Sequence, residues 1–140
     1  MLKIAILGLG EGRSTMSAAL QSSKLELVKV CDRNEDLCKQ RAKEFDFPHY
    51  TTSYDDLLID SSIDIIAIYT PDHLHAEHVK QALLYGKHVV CTKPFIDDLS
   101  KAKELFPTAT ADMIVFYGKD RPAIVYSSIN DKPYNLYFNP

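Results

Sequence analysis

The sequence predicts an α/β fold, a doubly wound parallel sheet in a single domain, and two observations support this prediction. The first apolar run, residues 4–7, is unbroken and closes on Gly8, as expected of a central parallel strand buried on both faces. Strand-like runs then alternate with segments of helical periodicity along most of the chain. This alternation requires right-handed crossover connections, which build a doubly wound sheet.

The first helices are predicted from apolar spacing and capping residues. Met16, Ala19 and Leu20 share one face of a helix that follows the first strand. A second strand over residues 25–30 comes next, and Asn34 is placed to cap the helix after it. The pattern therefore begins as strand, helix, strand, helix.

Turn and cap signals predict the middle of the chain. Ser53, with Asp56 three residues later, forms a capping-box pattern for a short helix. An apolar strand over residues 65–69 precedes a helix that Asp72 is placed to cap and that Gly86 stops. The alternation of strand and helix thus continues.

The last regular elements are predicted to be a strand, a helix and a strand, over residues 88–91, 99–106 and 113–117. The following tail, residues 119–140, has a different composition, because prolines, asparagines and aspartates interrupt it. Its two short apolar pieces, residues 123–129 and 134–138, are interpreted either as an added strand pair or as chain without regular structure.

Composition narrows the class of protein. The 140 residues are 46% hydrophobic, enough for a core without disulfides, and carry 16 basic and 19 acidic residues for a formal charge of -3. The sequence contains no run of basic residues of the kind that binds nucleic acid or a membrane, so neither is expected as a partner. The cysteines are odd in number, lack C-x-x-C spacing and follow no signal-like segment. A reducing, cytoplasmic location is therefore expected.

A glycine-containing turn follows the first strand. Gly8 and Gly10 between a strand and a helix allow a tight turn and a close approach to a pyrophosphate, which amide groups at the helix start would bind. The third small residue of G-x-G-x-x-G would fall at Arg13, and Gly12 stands one place earlier. Gly12 is expected to let the helix pack on the strand, and Arg13 to offer charge to the phosphates. The alternative is that two glycines merely form a turn.

An acidic residue ends the second strand. Asp32 lies 24 residues after Gly8, close to the spacing of a carboxylate that binds the adenosine ribose hydroxyls. Such a carboxylate repels a 2′-phosphate and favours NAD over NADP. Arg33 works in the other direction, because a guanidinium can stack on adenine or pair with a 2′-phosphate. The alternative for Asp32 is an ordinary turn residue at a strand end.

Two segments, KIAILGLGEGRS from residue 3 and IDIIAIYTPDHLHAEHVKQALLYGKHVVCTKP from residue 63, resemble the amino-terminal domain of the Gfo/Idh/MocA oxidoreductases. The resemblance covers residues 1 to about 118 and implies a Rossmann-like dinucleotide-binding domain over residues 1–118. It further implies a nicotinamide cofactor, NAD or alternatively NADP, and hydride transfer to or from a sugar or polyol hydroxyl.

The resemblance also assigns residues around a Thr-Pro loop. Thr70 and Pro71 follow a buried strand, at the sheet edge where doubly wound folds bind ligands. In the family this T-P segment lines the nicotinamide side of the cleft, and His75 occupies the histidine position of the T-P-x-x-x-H pattern. All three are therefore expected to contribute to cofactor binding.

The last assigned segment is a Lys-Pro step. Lys93 and Pro94 match the family's E-K-P pattern, whereas Thr92 departs from it and removes a carboxylate that could orient the lysine. In relatives the lysine reaches the substrate hydroxyl, so Lys93 is the expected catalytic residue. Relatives often hold this Lys-Pro bond in the cis form, and the same is expected here.

The spacing of His73, His75 and His78 is similar to that of metal hydrolases. On a helix the first two would point about 200° apart, and no acidic ligand accompanies them, so no metal site is expected.

No histidine follows His88, although relatives carry a proton-transfer histidine in a second domain that also forms the sugar pocket. We therefore expect this chain, as a truncated member of the family, to bind cofactor without catalysis on its own. Its activity would need a separate catalytic subunit. The alternative is a free-standing nucleotide-binding module that self-associates, for instance as a homodimer, without enzyme activity.

Overall fold

The computed structural model describes residues 1–95, Lys101 and the backbone of residues 113–116 and 122–126. The chain forms two compact units, Met1–Thr70 and Pro71–Pro140. Within the described residues, no helix has both the length and the apolar character needed to span a membrane.

The first unit contains a parallel sheet with helices in its connections. Its strands are β1 (Leu2–Leu7), β2 (Leu25–Cys31), β3 (Tyr50–Thr51) and β4 (Ile65–Ile68), in the spatial order β3-β2-β1-β4. Its helices are α1 (Arg13–Gln21), α2 (Glu35–Phe45) and α3 (Asp55–Leu58). β1 pairs with both β2 and β4 in parallel, as predicted for a central strand.

The core of this unit is built on β1. Its residues from Ile4 to Leu7 are all buried, and Ile66, Ala67 and Ile68 of the neighbouring β4 are completely inaccessible. The helices contribute Met16 and Ala19 from α1 and Cys38 from α2, among others. Strand β3 has only two residues, too few for an alternating pattern, and was not predicted.

The predicted features at the helices are partly confirmed. The Asn34 side chain accepts a hydrogen bond from the Leu37 amide at 3.2 Å, so it caps α2 as expected. The capping box at Ser53 is wrong, because Asp56 accepts instead from the Thr51 hydroxyl and no side chain caps α3. The Ser53 amide donates to the same Thr51 oxygen at 3.1 Å, which leaves the box without its reciprocal bond.

The predicted inward face of α1 also needs a correction. Met16 and Ala19 are buried, but Leu20 is 44% exposed. Leu20 lies about 100° around the helix from Ala19 and one residue before the end of α1 at Gln21, so it falls at the margin of the buried face.

In the second unit, a 3₁₀ turn (Asp72–Leu74) leads into α4 (His75–Leu84) and β5 (His88–Cys91). Strand β6 (Met113–Phe116) runs parallel to β5, and β7 (Pro122–Tyr126) runs antiparallel to β6. Asp72 does not cap the helix as predicted, because the 3₁₀ turn intervenes and α4 begins without a side-chain cap. Gly86, with φ of +71°, follows the helix end as expected.

For the apolar piece at residues 123–129, which was interpreted either as a strand or as chain without regular structure, the structure has strand β7 over Pro122–Tyr126. Apart from Lys101, which is helical, the helix predicted over residues 99–106 lies outside the described residues, as does the apolar piece at residues 134–138.

Candidate functional site

The turn after β1 depends on a glycine with left-handed backbone. Gly8 has φ of +92°, and a Cβ atom there would lie 2.6 Å from both the carbonyl carbon and the oxygen of Tyr69. The Gly8 amide donates to the Cys31 carbonyl oxygen at 2.8 Å. Backbone conformation and space therefore both require glycine at this position.

The two other glycines of the turn have opposite surroundings. A Cβ atom on Gly12 would lie 2.1 Å from the Gly8 carbonyl oxygen and 2.8 Å from Cγ2 of Ile6, so only glycine lets α1 start this close to β1. This is the packing role predicted for Gly12. Gly10 is exposed, and a Cβ atom there would meet nothing within 4 Å. Its backbone is therefore open to approach from outside.

The start of α1 lacks the usual capping groups. Gly12 occupies the N-cap position, no side chain caps the helix, and its first turn holds no acidic residue. The positive end of the helix dipole and the first amides are thus not neutralised by a carboxylate of the helix itself. Such an end favours an anion.

Leu9, at the centre of the turn, is held from both sides of its backbone. Its amide donates to Oδ2 of Asp32 at 2.9 Å, and its carbonyl oxygen accepts from Nε of Arg41 at 3.0 Å. The Leu9 side chain is completely buried. Asp32 also accepts from the Asn34 amide at 2.9 Å through Oδ1. Asp32 therefore connects the end of β2 to the glycine turn.

A pair of arginines shares one carboxylate on α2. Glu44 forms ion pairs with Arg13 and, at 2.9 Å, with Nη1 of Arg41. The hydrogen bond from Arg13 is the main reason why the pKa of Glu44 lies below its usual value, and the same contact raises the pKa of Arg13. The Arg13 guanidinium also lies over the Phe45 ring, 5.7 Å from its centroid. The charge of Arg13 is thus directed toward α2.

The remaining predicted residues of the first unit lie at the ends of β2 and β4. Arg33 is exposed and makes no hydrogen bond or ion pair with other described residues. Thr70 is half-buried and directly follows Tyr69. The Tyr69 hydroxyl accepts a hydrogen bond from the Thr15 hydroxyl of α1, and its amide donates to Leu7 at 2.7 Å. The end of β4 is therefore fixed to both β1 and α1.

In the second unit, the structure brings His75 and the Lys-Pro step together. The His75 ring is 1% exposed, and its Nδ1 lies 2.7 Å from the Pro94 carbonyl oxygen and 3.1 Å from that of Phe95. The Lys93-Pro94 bond is cis, as expected from the resemblance. Lys93 itself is exposed, as is Pro71 at the start of the unit.

The three closely spaced histidines have different environments. His73 is exposed in the 3₁₀ turn, whereas His75 is buried. Burial, followed by the proximity of His75, lowers the pKa of His78. In the part of the chain that the structure describes, no cluster of three His, Cys, Asp or Glu side chains could hold a metal ion.

Four residues around the glycine turn were missed at the sequence level: Thr15, Arg41, Glu44 and Tyr69. Their contacts link residues 31 to 54 positions apart, for example Arg41 with Leu9 and Tyr69 with Thr15. The only available signal was the three-residue spacing of Arg41 and Glu44 on one helix.

A match to a protein-family model shows which family this chain belongs to. The family model described as "Oxidoreductase family, NAD-binding Rossmann fold" (GFO_IDH_MocA) matches residues 2–118. The chain belongs to this family. The resemblance first noted in the glycine turn and the Lys-Pro step is thereby confirmed, together with the nicotinamide dinucleotide as the cofactor class of the family.

Individual relatives agree with this assignment. An uncharacterized oxidoreductase of Schizosaccharomyces pombe, C115.03, is 32% identical over 119 residues, which are 81% of this chain and 32% of the relative. Levoglucosan dehydrogenase of Pseudarthrobacter phenanthrenivorans is 28% identical over 99 residues, 68% of this chain and 25% of that enzyme. The chain thus spans about a third or less of the length of these relatives.

A solved structure supports the fold. The oxidoreductase from Agrobacterium radiobacter in complex with NAD+, L-tartaric acid and magnesium superimposes with a TM-score of 0.75 at 26% identity, covering 81% of this chain and 34% of that one. KijD10, a 3-ketoreductase from Actinomadura kijaniata in complex with NADP and TDP-benzene, gives a TM-score of 0.74 at 24% identity. The predicted Rossmann-like, doubly wound parallel sheet is confirmed.

Proposed function

We propose that this chain is the cofactor-binding part of an NAD(P)-dependent oxidoreductase that transfers hydride to or from a sugar or polyol hydroxyl. Membership of the family supports the redox class. The relatives named levoglucosan dehydrogenase and D-xylose 1-dehydrogenase (NADP(+)) 2 support a carbohydrate substrate. The observation that carries the proposal is the glycine turn, whose open backbone leads into an uncapped helix.

The surroundings of the turn fit a dinucleotide pyrophosphate. Gly10 leaves room for close approach, and the start of α1 supplies unneutralised amides and the positive end of a dipole. Gly8 and Gly12 fix the turn against β1, β4 and α1. Arg13 is placed beside the helix start and would add positive charge if it exchanged Glu44 for a phosphate.

We further propose that NAD is preferred over NADP because of Asp32. An ionised carboxylate offers about four acceptor sites, and Asp32 uses two of them, toward Leu9 and Asn34. The others suit ribose hydroxyls, whereas a 2′-phosphate would meet like charge. The exposed Arg33 is the residue that would favour NADP instead.

The second unit is proposed to supply the residues nearest the reacting groups. When bound, the nicotinamide accepts or donates the hydride. Lys93 is the proposed catalytic residue, because an exposed ammonium can hydrogen-bond the substrate hydroxyl and assist its proton loss. Thr70 and Pro71 are proposed to line the nicotinamide side, with His75 behind the Lys-Pro step.

Thermal unfolding with added cofactor tests the proposal. NADH should raise the melting temperature by mass action, and NADPH should raise it less. The Asp32→Ala variant should lose much of the NADH effect and narrow the gap between the two cofactors. Asp36→Asn is a matched control, since it removes one exposed negative charge from α2 and leaves the glycine turn intact. A folded wild type unmoved by millimolar NADH would disprove the proposal, and a larger shift with NADPH would assign the preference to Arg33.

A second candidate function is that of a self-associating nucleotide-binding module without enzyme activity. The observation in its favour is that β7 lies last in the order of described strands and runs antiparallel to β6, as an added edge strand does. Cofactor binding together with a homodimer in light scattering would support this candidate. A monomer that becomes active with a separate catalytic subunit would exclude it.

We propose a cytoplasmic location on the evidence of the thiols. Cys31, Cys38 and Cys91 are all buried and free, as expected of a protein that matures under reducing conditions.

A further inference from the structure

His75 is the most deeply buried histidine among the described residues of the second unit, and its hydrogen bonds are unusual. As the first residue of α4, it lies 19 positions from Pro94, yet Nδ1 approaches the Pro94 carbonyl oxygen to 2.7 Å. The next carbonyl oxygen, that of Phe95, lies 3.1 Å from the same nitrogen. One ring nitrogen thus faces two consecutive backbone acceptors.

The chemistry of these partners fixes the state of the ring. Carbonyl oxygens only accept hydrogen bonds, so the hydrogen must reside on Nδ1, whatever the state of Nε2. A shared N–H of this kind orients both peptide planes at once, because each oxygen must point toward the same hydrogen. The backbone directly after Lys93 is therefore held by the start of α4.

Lys93 needs such support from its backbone. Its side chain is exposed, so burial does not select the direction in which the chain leaves the backbone. The preceding residue is Thr92, so no carboxylate at that position holds the Lys93 ammonium. The remaining means of orienting Lys93 within the described residues is the geometry of residues 93–95.

We propose that His75 is a positioning residue for Lys93, which acts through the hydrogen bonds from Nδ1 to the carbonyl oxygens of Pro94 and Phe95. The inference rests on the proposed function in one respect, the catalytic role of Lys93. In this arrangement His75, which is buried, contributes to catalysis through the backbone of residues 94 and 95.

Two substitutions separate this role from simple core packing. His75→Phe keeps an aromatic ring of similar volume but has no donor. His75→Asn loses ring volume but retains an amide hydrogen near the position of Nδ1. A positioning role predicts that Asn behaves like the wild type and Phe does not, whereas a packing role predicts the opposite order.

The measurement follows Lys93 directly and needs no turnover. Lysines of the full 140-residue chain are labelled with ¹³C-methyl groups, which keep the charge, and Lys93→Arg assigns the Lys93 signal. We expect His75→Phe to shift this signal and, in protein that has not been methylated, to change the acylation rate of Lys93 severalfold, with exposed Lys43 unaffected as an internal control. His75→Asn should preserve both properties of Lys93.

The outcomes distinguish this proposal from the proposed function. An unchanged Lys93 signal and rate in folded His75→Phe would overturn the positioning role, whatever the affinity for NADH. If His75→Phe changes the Lys93 signal and rate but the wild type does not bind NADH, the proposed function is refuted and the effect of His75 on Lys93 is still established. If the Phe variant does not fold, nitrogen NMR of the wild type decides, because a neutral ring with its hydrogen on Nε2 would contradict the proposal.

Discussion

Nε of Arg41 donates a hydrogen bond to the carbonyl oxygen of Leu9 over 3.0 Å, across 32 positions of sequence. The contact ties α2 to the glycine turn at the residue whose amide is held by Asp32. The side chain of Arg41 is only 13% exposed, so this contact forms in a largely desolvated setting. The shape of the turn is therefore maintained by residues outside it.

Arg41→Ala should weaken NADH binding about tenfold, since a hydrogen bond to a charged donor contributes about 1.5–3 kcal/mol and part of it is recovered by water. Calorimetric titration measures the effect. Lys39→Ala is the matched control, because it removes an exposed cation of the same helix that pairs with Glu35 and leaves the Leu9 contact in place. Equal affinity of Arg41→Ala and the wild type would show that the turn holds its shape alone.

Gly12→Ala should destabilise the fold by about 1–3 kcal/mol or prevent folding, because its Cβ would overlap the Gly8 carbonyl oxygen. Gly10→Ala should stay within about 0.5 kcal/mol of the wild type, because its Cβ would meet open space. Urea unfolding compares the two. Gly10→Ala should nevertheless weaken NADH binding, since its methyl group would occupy the space left for the pyrophosphate; normal binding would place the ligand elsewhere.

The stability contributed by Asp60 should depend on pH. Hydrogen bonds from Ser62 and Lys29 lower the pKa of Asp60 to about 2 from an ordinary 3.8. The ionised form is thus favoured in the folded state, and its contribution is present above the unfolded pKa and lost as pH falls through the folded one. The difference in free energy of unfolding between wild type and Asp60→Asn should shrink between pH 4 and pH 2, because Asp60 becomes protonated in the folded state over this range. A gap independent of pH over this window would refute the assignment to Asp60.

The cysteines should be inert in the native protein. Burial raises the pKa of Cys31 and of Cys91 to about 12, so the reactive thiolates are scarce at pH 8. Mass spectrometry after iodoacetamide treatment should find no modified cysteine in the folded state and all three modified in urea. Rapid labelling of the native protein would indicate opening of the units that bury them.

A polypeptide limited to these 140 residues should bind NAD and show no dehydrogenase activity with sugars or polyols. It has no histidine beyond His88, and it spans 32% of the S. pombe relative. Lys93 alone would supply neither a second proton-transfer group nor exclusion of water. Nicotinamide absorbance with a panel of polyols measures turnover. Steady turnover that disappears in Lys93→Ala would contradict the expectation.

The sequence predicted correctly the features that depend on residues adjacent in the chain. The apolar run of β1 and the Asn34 cap depend on neighbouring residues, and both were predicted correctly. The prediction of a capping box at Ser53 was wrong, because the Thr51 hydroxyl takes the Asp56 carboxylate that the box requires. Thr51 and Ser53 are both close to Asp56 in sequence, and the sequence does not show which of them bonds to it.

The site was predictable where it depends on backbone shape and not where it depends on side chains from distant elements. Gly8 and Gly12 were identified from their spacing, and the structure shows the close contacts that require them. The contact of Arg41 with Leu9 was missed, because periodicity places Arg41 on a helix face without revealing what that face meets.

The close approach of Gly8 to Tyr69 and Thr70 has a consequence for divergence within the family. A Cβ at position 8 would lie 2.6 Å from the Tyr69 carbonyl and 2.9 Å from the Thr70 amide, so no side-chain adjustment could relieve the overlap. A descendant that lost this glycine would survive only with a rerouted chain after β4. The glycine at position 8 and the backbone path after β4 are therefore inherited together, whatever side chains stand at positions 69 and 70.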